Sequence, residues 1–78
     1  QFEKRLEDFE NDSKWFYENI DSLRKNKQEG KFVAIKNKRV IASNENLEIV
    51  IKLVEKQGEN PGYLLIEFVY PDKTVVLL

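Results

Sequence analysis

Acidic side chains are the first candidates for chemistry in this chain. Two groups stand close together in the sequence: Glu7, Asp8, Glu10 and Asp12, and then Glu45 and Glu48. Paired carboxylates can exchange protons with a substrate or hold Mg²⁺. Acidic residues near a helix start also offset the helix dipole and solvate an exposed face, and no ordered phosphate-binding or calcium-binding motif accompanies these. We therefore expect no catalytic carboxylate.

The composition excludes several other kinds of site. The 78 residues contain no His and no Cys, which excludes disulfides, thiol or imidazole catalysis, and metal sites built from those ligands. Without a histidine, the Ser and Thr hydroxyls have no imidazole base to activate them. We expect no catalytic residue, no metal and no cofactor, and hence a protein that is not an enzyme.

Residues 30–43 combine four basic side chains with no acidic one. These are Lys31, Lys36, Lys38 and Arg39. Four cations neutralise at most about four phosphates, which gives weak and salt-sensitive binding. Exposed hairpins also carry charge simply to remain soluble, and the net charge of −1 gives the whole chain no attraction for nucleic acid. Nucleic-acid binding is therefore the alternative function.

Apolar residues recur at helical spacing through the first 23 residues. They are Phe2, Leu6, Phe9, Phe16, Ile20 and Leu23, with Ser13 in the one polar position of the stripe. The spacing predicts either one helix of about 24 residues or two helices, the second starting near Asp12 or Ser13. The unbroken phase favours one helix.

The first part of this stripe is a candidate contact surface. If the helix is continuous, Phe2, Leu6 and Phe9 either project past the domain, where they would meet a partner or a second copy, or fold back over the sheet. Trp15 and Tyr17 lie off the stripe. We expect them to pack at the sheet margin or to join the same interface.

A β-hairpin is the clearest local signal. Residues 32–36 and 39–43 are rich in β-branched and apolar side chains, and Asn37-Lys38 joins them. Asn tolerates the left-handed backbone that a two-residue hairpin turn requires. The polar segment before the hairpin ends at Gly30, which we expect to cap the preceding helix.

The second half of the chain predicts one helix and two strands. Ser43, Asn44 or Asn46 caps a helix that runs to about Gln57, with Gly58 in a left-handed conformation after it. Residues 63–70 form a strand, Pro71-Asp72-Lys73 a turn, and residues 74–78 a short last strand, free to complete this sheet or to extend a partner's. Apolar residues occupy both alternating sets in 63–70, as in a central strand or one with two buried faces.

These elements predict an α+β fold in the order helix, strand, strand, helix, strand, strand. The economical assembly is a small antiparallel sheet with the helices packed on one face. We expect residues 1–12 to form an amphipathic helical extension and residues 13–78 to form a single small domain. No apolar run is long enough to cross a membrane.

A series of short motifs resembles a family of small archaeal and bacterial proteins of unknown function. The motifs are Trp15 with Asn19 and Leu23, Gly30-Lys31-x-Val33-Ala34, Val40-Ile41-Ala42, the capped helix near Leu47, Pro61, and Leu65-Ile66-x-x-Val69. The resemblance covers residues 13–78, implies an α+β fold and supplies no catalytic residue. Lys38 and Ser43 depart from it, since the family commonly has Gly at both positions, and this leaves the hairpin turn type open.

Together these observations favour a non-enzymatic interaction or accessory module. It would dock through an apolar helix stripe or a sheet edge onto a protein partner or onto itself. We expect a cytoplasmic location, without membrane contact. The abundance of Lys and Glu, with no Cys or Met, resembles the composition of proteins from hot environments.

Overall fold

The computed structural model describes residues 2–71, with side chains from residue 6 onward. The elements are α1 (Phe2–Glu18), α2 (Ile20–Lys25), β1 (Phe32–Lys36), β2 (Arg39–Asn44), α3 (Leu47–Lys56), a 3-10 turn (Pro61–Tyr63) and β3 (Leu65–Phe68). The strand predicted at 74–78, together with Asp72 and Lys73 of the turn before it, lies outside the described residues.

The N-terminal helix runs through the polar positions 11–13 without a break, as its apolar phase predicts. The interruption comes instead at Asn19, where φ is −113°. Helical hydrogen bonds continue on both sides, from the Asn19 N–H to the Trp15 carbonyl at 3.0 Å and from the Leu23 N–H to the Asn19 carbonyl at 3.0 Å. α1 therefore crosses the proposed boundary between residues 12 and 13 unbroken, and the division into 1–12 and 13–78 stays a prediction.

The end of α2 differs from the prediction at Gly30. Lys27 takes the left-handed position, with φ 63°, and the Gln28 N–H closes the helix by donating to the Leu23 carbonyl at 3.0 Å. Gly30 is also left-handed, with φ 76°, but its N–H donates to the Val69 carbonyl at 2.7 Å. Gly30 joins the sheet and does not cap the helix.

The hairpin prediction is confirmed. β1 and β2 pair antiparallel, with Lys36 opposite Arg39. Asn37 and Lys38 have φ values of 51° and 60°, which identify a type I′ turn in which Lys takes a position that usually favours Gly. Ala34 pairs with Ala42 and Ile35 with Val40, so one extra β2 residue forms a bulge.

Helix α3 also follows its prediction closely. The Asn46 side chain caps α3 by accepting the Glu48 N–H at 2.9 Å, and Gly58 is left-handed with φ 80°.

Strand β3 is shorter than the predicted strand at residues 63–70. Tyr63 belongs to the 3-10 turn, which Asn60 caps by accepting the Gly62 N–H at 2.9 Å.

The α+β class and the small antiparallel sheet are confirmed. The strand order is β2-β1-β3, so β1 is central. The prediction that all helices pack on one face of the sheet is wrong. Phe16 and Leu23 from α1 and α2 pack on Val33, Ile35 and Val69.

The opposite sheet face is covered by α3. Val50 and Val54 of this helix pack on Ala34 and Ala42. The physical reason for two covered faces lies in β1, where three consecutive residues, Val33 to Ile35, have 0% exposure. Because successive strand side chains point to opposite faces, such a run needs cover on both sides.

Candidate docking surfaces

The N-terminal carboxylates do not form a reactive cluster. Glu7, Asp8 and Glu10 are exposed, whereas Asp12 is buried at 8% exposure. The Asp12 Oδ1 accepts the Lys38 N–H at 2.9 Å. Within residues 2–71 as described, no group of three or more acidic side chains is placed to hold a metal ion. Asp12 therefore acts structurally, by fixing α1 to the turn of the hairpin.

α1 continues past the hairpin turn. Asp8 and Asn11 border a shallow hollow together with Asn37 and Lys38, so this part of the helix lies beside the turn. The helix begins ten residues before Asp12, which corresponds to about 15 Å of helix axis. The longest dimension of the molecule is 38 Å, against 25 and 24 Å for the others, as expected for a projecting helix.

The projecting end carries exposed apolar surface. Leu6 is 50% exposed, and Phe9 is partly exposed. These residues are three apart, so they share one side of the helix. We call Leu6 and Phe9 the α1 tip. Phe2 belongs to the same predicted stripe, but its side chain lies outside the description.

Trp15 and Tyr17 lie apart from the α1 tip, over the sheet. Trp15 is half-buried and packs against the core cluster that contains Phe16. Tyr17 is 62% exposed, and its ring meets Phe16 edge-on with centroids 5.1 Å apart. Of the five residues predicted as one interface, the four whose side chains the structure describes thus divide between two regions of α1.

The Tyr17 hydroxyl connects α1 to β3. It donates a hydrogen bond to the Glu67 Oε2 at 3.1 Å. The negative charge of Glu67 raises the pKa of Tyr17 above its usual 10.0, and the hydrogen bond to the same carboxylate adds to the effect.

The basic side chains of the hairpin are not brought together into one patch. Lys36 Nζ lies 2.6 Å from the Glu59 Oε2. Lys31 precedes β1, about 17 Å along the strand from the turn. Lys38 and Arg39 are exposed at the turn, so the tip presents two of the four predicted cations.

A groove at the outer edge of β3 is the feature that the sequence analysis missed. It is open, with a volume of about 640 Å³, and its walls include Phe32, Leu47, Ile51, Ile66 and Phe68. The alternating apolar sets in residues 63–70 were the available signal, because they indicate a strand with apolar surface on both faces.

Together, the fold and these surfaces define a small α+β domain in which the three described strands form an antiparallel sheet that lies between helices. The chain belongs to a family of unknown function, DUF5678, whose model matches residues 25–73. The matched region contains all three described strands and α3, and α1 precedes it. No curated protein and no solved structure matches the chain.

The match confirms the predicted resemblance to a family of unknown function. It begins after Trp15, Asn19 and Leu23, so those three positions lie outside the matched region. None of the helices in the described part of the chain is both long and apolar enough to span a membrane.

Proposed function

We propose that this chain is a non-enzymatic protein-interaction module that docks through the α1 tip. The observation that supports this most directly is the 50% exposure of Leu6 on a helix that continues past the hairpin turn. Exposed apolar side chains three residues apart on a helix are the usual anchors for insertion into an apolar groove.

The free energy that burial of the α1 tip can contribute to binding corresponds to a modest affinity. Full burial of a Leu or Phe side chain contributes roughly 1.5–3 kcal/mol, and both tip residues are already partly buried. The tip therefore supplies roughly 2–3 kcal/mol from apolar contact. Other contacts around it must supply the rest of a specific binding free energy.

Charged residues beside the α1 tip indicate that these additional contacts are electrostatic. Glu7, Asp8 and Glu10 are exposed on the same helical turns. An apolar groove with a basic rim complements this pattern, and electrostatic complementarity raises both the association rate and the specificity. The proposed partner is a protein with such a groove, or a second copy that buries the same stripe.

Paired substitutions test the proposal. Leu6→Glu places a charge in the α1 tip, and Ile49→Glu places the same charge at a 42% exposed position on α3. Each protein is measured by light scattering over a range of concentrations, and each is used as bait in affinity capture from its native extract. We expect Leu6→Glu, but not Ile49→Glu, to abolish either self-association or a captured partner.

Two results contradict the proposal. One is a monomer at all concentrations with identical captured proteins for both variants and the unchanged chain. The other is an equal loss of binding in the two variants, because that pattern does not depend on the α1 tip.

Nucleic-acid binding through Lys31, Lys36, Lys38 and Arg39 stays the alternative prediction. The pairing of Lys36 with Glu59 and the distance of Lys31 from the turn reduce the charge that the hairpin tip can offer to phosphates. The cytoplasmic location and the hot-environment origin inferred from composition also stay predictions.

A further inference from the structure

One end of the molecule carries exposed charges of both signs. The Asp12 Oδ1 accepts the Lys38 N–H at 2.9 Å, which places the hairpin turn beside α1. Asp8 borders the same hollow as Asn37 and Lys38. The acidic side chains around the α1 tip and the basic side chains of the turn therefore lie together at this end.

Both sets of charges are available to another molecule. The acidic set is Glu7, Asp8 and Glu10, and the basic set is Lys38 and Arg39, all of them exposed. Between described residues, one ion pair lies within α2 and another joins the end of β1 to the segment after α3. Within the described part of the chain, neither set is therefore neutralised by an ion pair.

The two sets are displaced from each other along the axis of α1. The helix begins ten residues before Asp12, which corresponds to about 15 Å beyond the turn. Residues 2–11 contain four acidic and two basic residues, so the projecting segment is acidic, whereas the turn is basic. A second molecule that points the opposite way presents the same two surfaces in reverse order.

We propose that the α1 tip docks beside the hairpin turn of a second copy of this chain, in a two-fold symmetric dimer. The two α1 helices then run antiparallel and overlap along their projecting segments. Leu6 and Phe9 lie near the middle of this segment, so each copy covers the apolar tip of the other. The inference rests on the proposed function, because it names the partner of the same α1 tip.

Two-fold symmetry is the reason to favour a second copy over an unrelated groove. In such a contact every interaction occurs twice, because the same surface serves both copies. The apolar area buried at the tips and the number of oppositely charged pairs are therefore both doubled. One chain already supplies the acidic and the basic side of the contact, which gives electrostatic complementarity without any other protein.

Charge reversal on each side of the contact tests the inference. The tip variant carries Glu7→Lys and Glu10→Lys, and the turn variant carries Lys38→Glu and Arg39→Glu. Light scattering of the full chain over a range of concentrations measures dimer formation. We expect each variant to dimerise about tenfold or more weakly than the unchanged chain, because about four exposed ion pairs become repulsive.

An equimolar mixture of the two variants gives the sharpest result. The reversed tip of one variant is basic and the reversed turn of the other is acidic, so both contacts in a mixed dimer are complementary again. We expect the mixture to recover dimers at about the affinity of the unchanged chain. A fluorescent label on one variant allows the mixed dimer to be measured by anisotropy.

A matched control reverses two exposed bases at the other end of the molecule. Lys25→Glu combined with Lys27→Glu makes the same change in net charge, and Lys27 is left-handed like Lys38, with φ 63° against 60°. We expect this control to leave dimer formation unchanged. Because Glu at position 38 adjoins the Asp12 carboxylate, Arg39→Glu alone replaces the turn variant if thermal unfolding shows that the double substitution prevents folding.

Failure of the inference can be distinguished from failure of the proposed function. The inference is overturned by an unchanged chain that stays monomeric, by a turn variant that dimerises normally, or by a mixture that recovers no dimers. If only the tip variant loses a protein captured from the native extract, that protein occupies the α1 tip, which overturns the inference and supports the proposed function. If Leu6→Glu changes neither self-association nor the captured proteins, both are overturned.

Discussion

The carboxylate of Asp12 offers the sharpest test of how α1 is held in place. It is buried, and it accepts the Lys38 N–H at 2.9 Å across 26 residues of sequence. A hydrogen bond to a charged acceptor contributes about 1.5–3 kcal/mol. Since Lys38 is exposed, water can solvate its N–H after the carboxylate is removed. We therefore expect Asp12→Ala to cost about 1.5–2 kcal/mol of unfolding free energy.

A matched control removes the effect of helix propensity. Asp8 lies one turn earlier on the same helix and is exposed, so Asp8→Ala makes the same chemical change without loss of a buried hydrogen bond. We expect it to change stability by less than about 0.5 kcal/mol. Asp12→Asn retains an acceptor oxygen without the charge, and we expect a cost of about 1 kcal/mol, because neutral hydrogen bonds are roughly half as strong.

Urea denaturation of the three variants measures these differences. Thermal unfolding provides a second readout, with Asp12→Ala expected to lower Tm by roughly 6–15 °C for a domain of this size. If Asp12→Ala and Asp8→Ala agree within about 0.5 kcal/mol, the hydrogen bond to the turn does not hold α1 in place.

Three further predictions concern the pH response, the backbone and the hairpin. Because Glu67 raises the pKa of Tyr17 in the folded state, stability declines as the pH rises above 10.0, where the unfolded chain releases this proton first. Glu67→Gln should lower the Tyr17 pKa in a ring-proton titration, and an unchanged pKa contradicts this cause. Gly58→Ala should lower the free energy of unfolding, measured by urea denaturation, by about 1–2 kcal/mol. A Cβ at this position meets no atom within 4 Å, so only the left-handed backbone opposes the substitution. Gly58→Asn should cost less, because Asn tolerates that conformation better. We expect the chain to cause no gel shift of nucleic acid at low salt. A gel shift that disappears when the charges of Lys38 and Arg39 are reversed would instead support nucleic-acid binding by the hairpin.

The local structure could be predicted where the signal is contained in a few neighbouring residues. The Asn37-Lys38 turn and the cap of α3 depend on backbone preferences of short segments. The position of the turn was predicted correctly, and the observed cap, Asn46, was one of three predicted candidates. The helix end near Gly30 was not, because Lys27 takes the left-handed position despite having a side chain. Gly30 instead donates its N–H to the Val69 carbonyl, a contact with a residue distant in sequence that no local pattern indicates.

The arrangement of layers required information that periodicity alone does not provide. The run Val33-Ala34-Ile35 is compatible with either a central strand or a strand covered on both faces. The structure shows that β1, which contains this run, is the central strand and is also covered on both faces. The contact of Asp12 with Lys38 joins distant residues, and in the sequence Asp12 resembles an ordinary cap or solvating residue.

The candidate surfaces were predicted in part. Leu6 and Phe9 follow from the helical stripe, but their separation from Trp15 and Tyr17 depends on where the hairpin turn meets α1. The groove beside β3 is formed by at least four segments distant in sequence, and the alternating apolar sets in residues 63–70 indicate only the strand that forms one side of it.

Site-specific cross-linking tests the central claim most directly. A photoreactive amino acid is placed at position 6 in one protein and at position 49 in another, and each is irradiated at its native concentration in the native extract. The account predicts a discrete adduct, with a partner protein or a second copy, from position 6 and none from position 49. No adduct from position 6, or the same adduct from both positions, contradicts the assignment of the α1 tip as the docking surface.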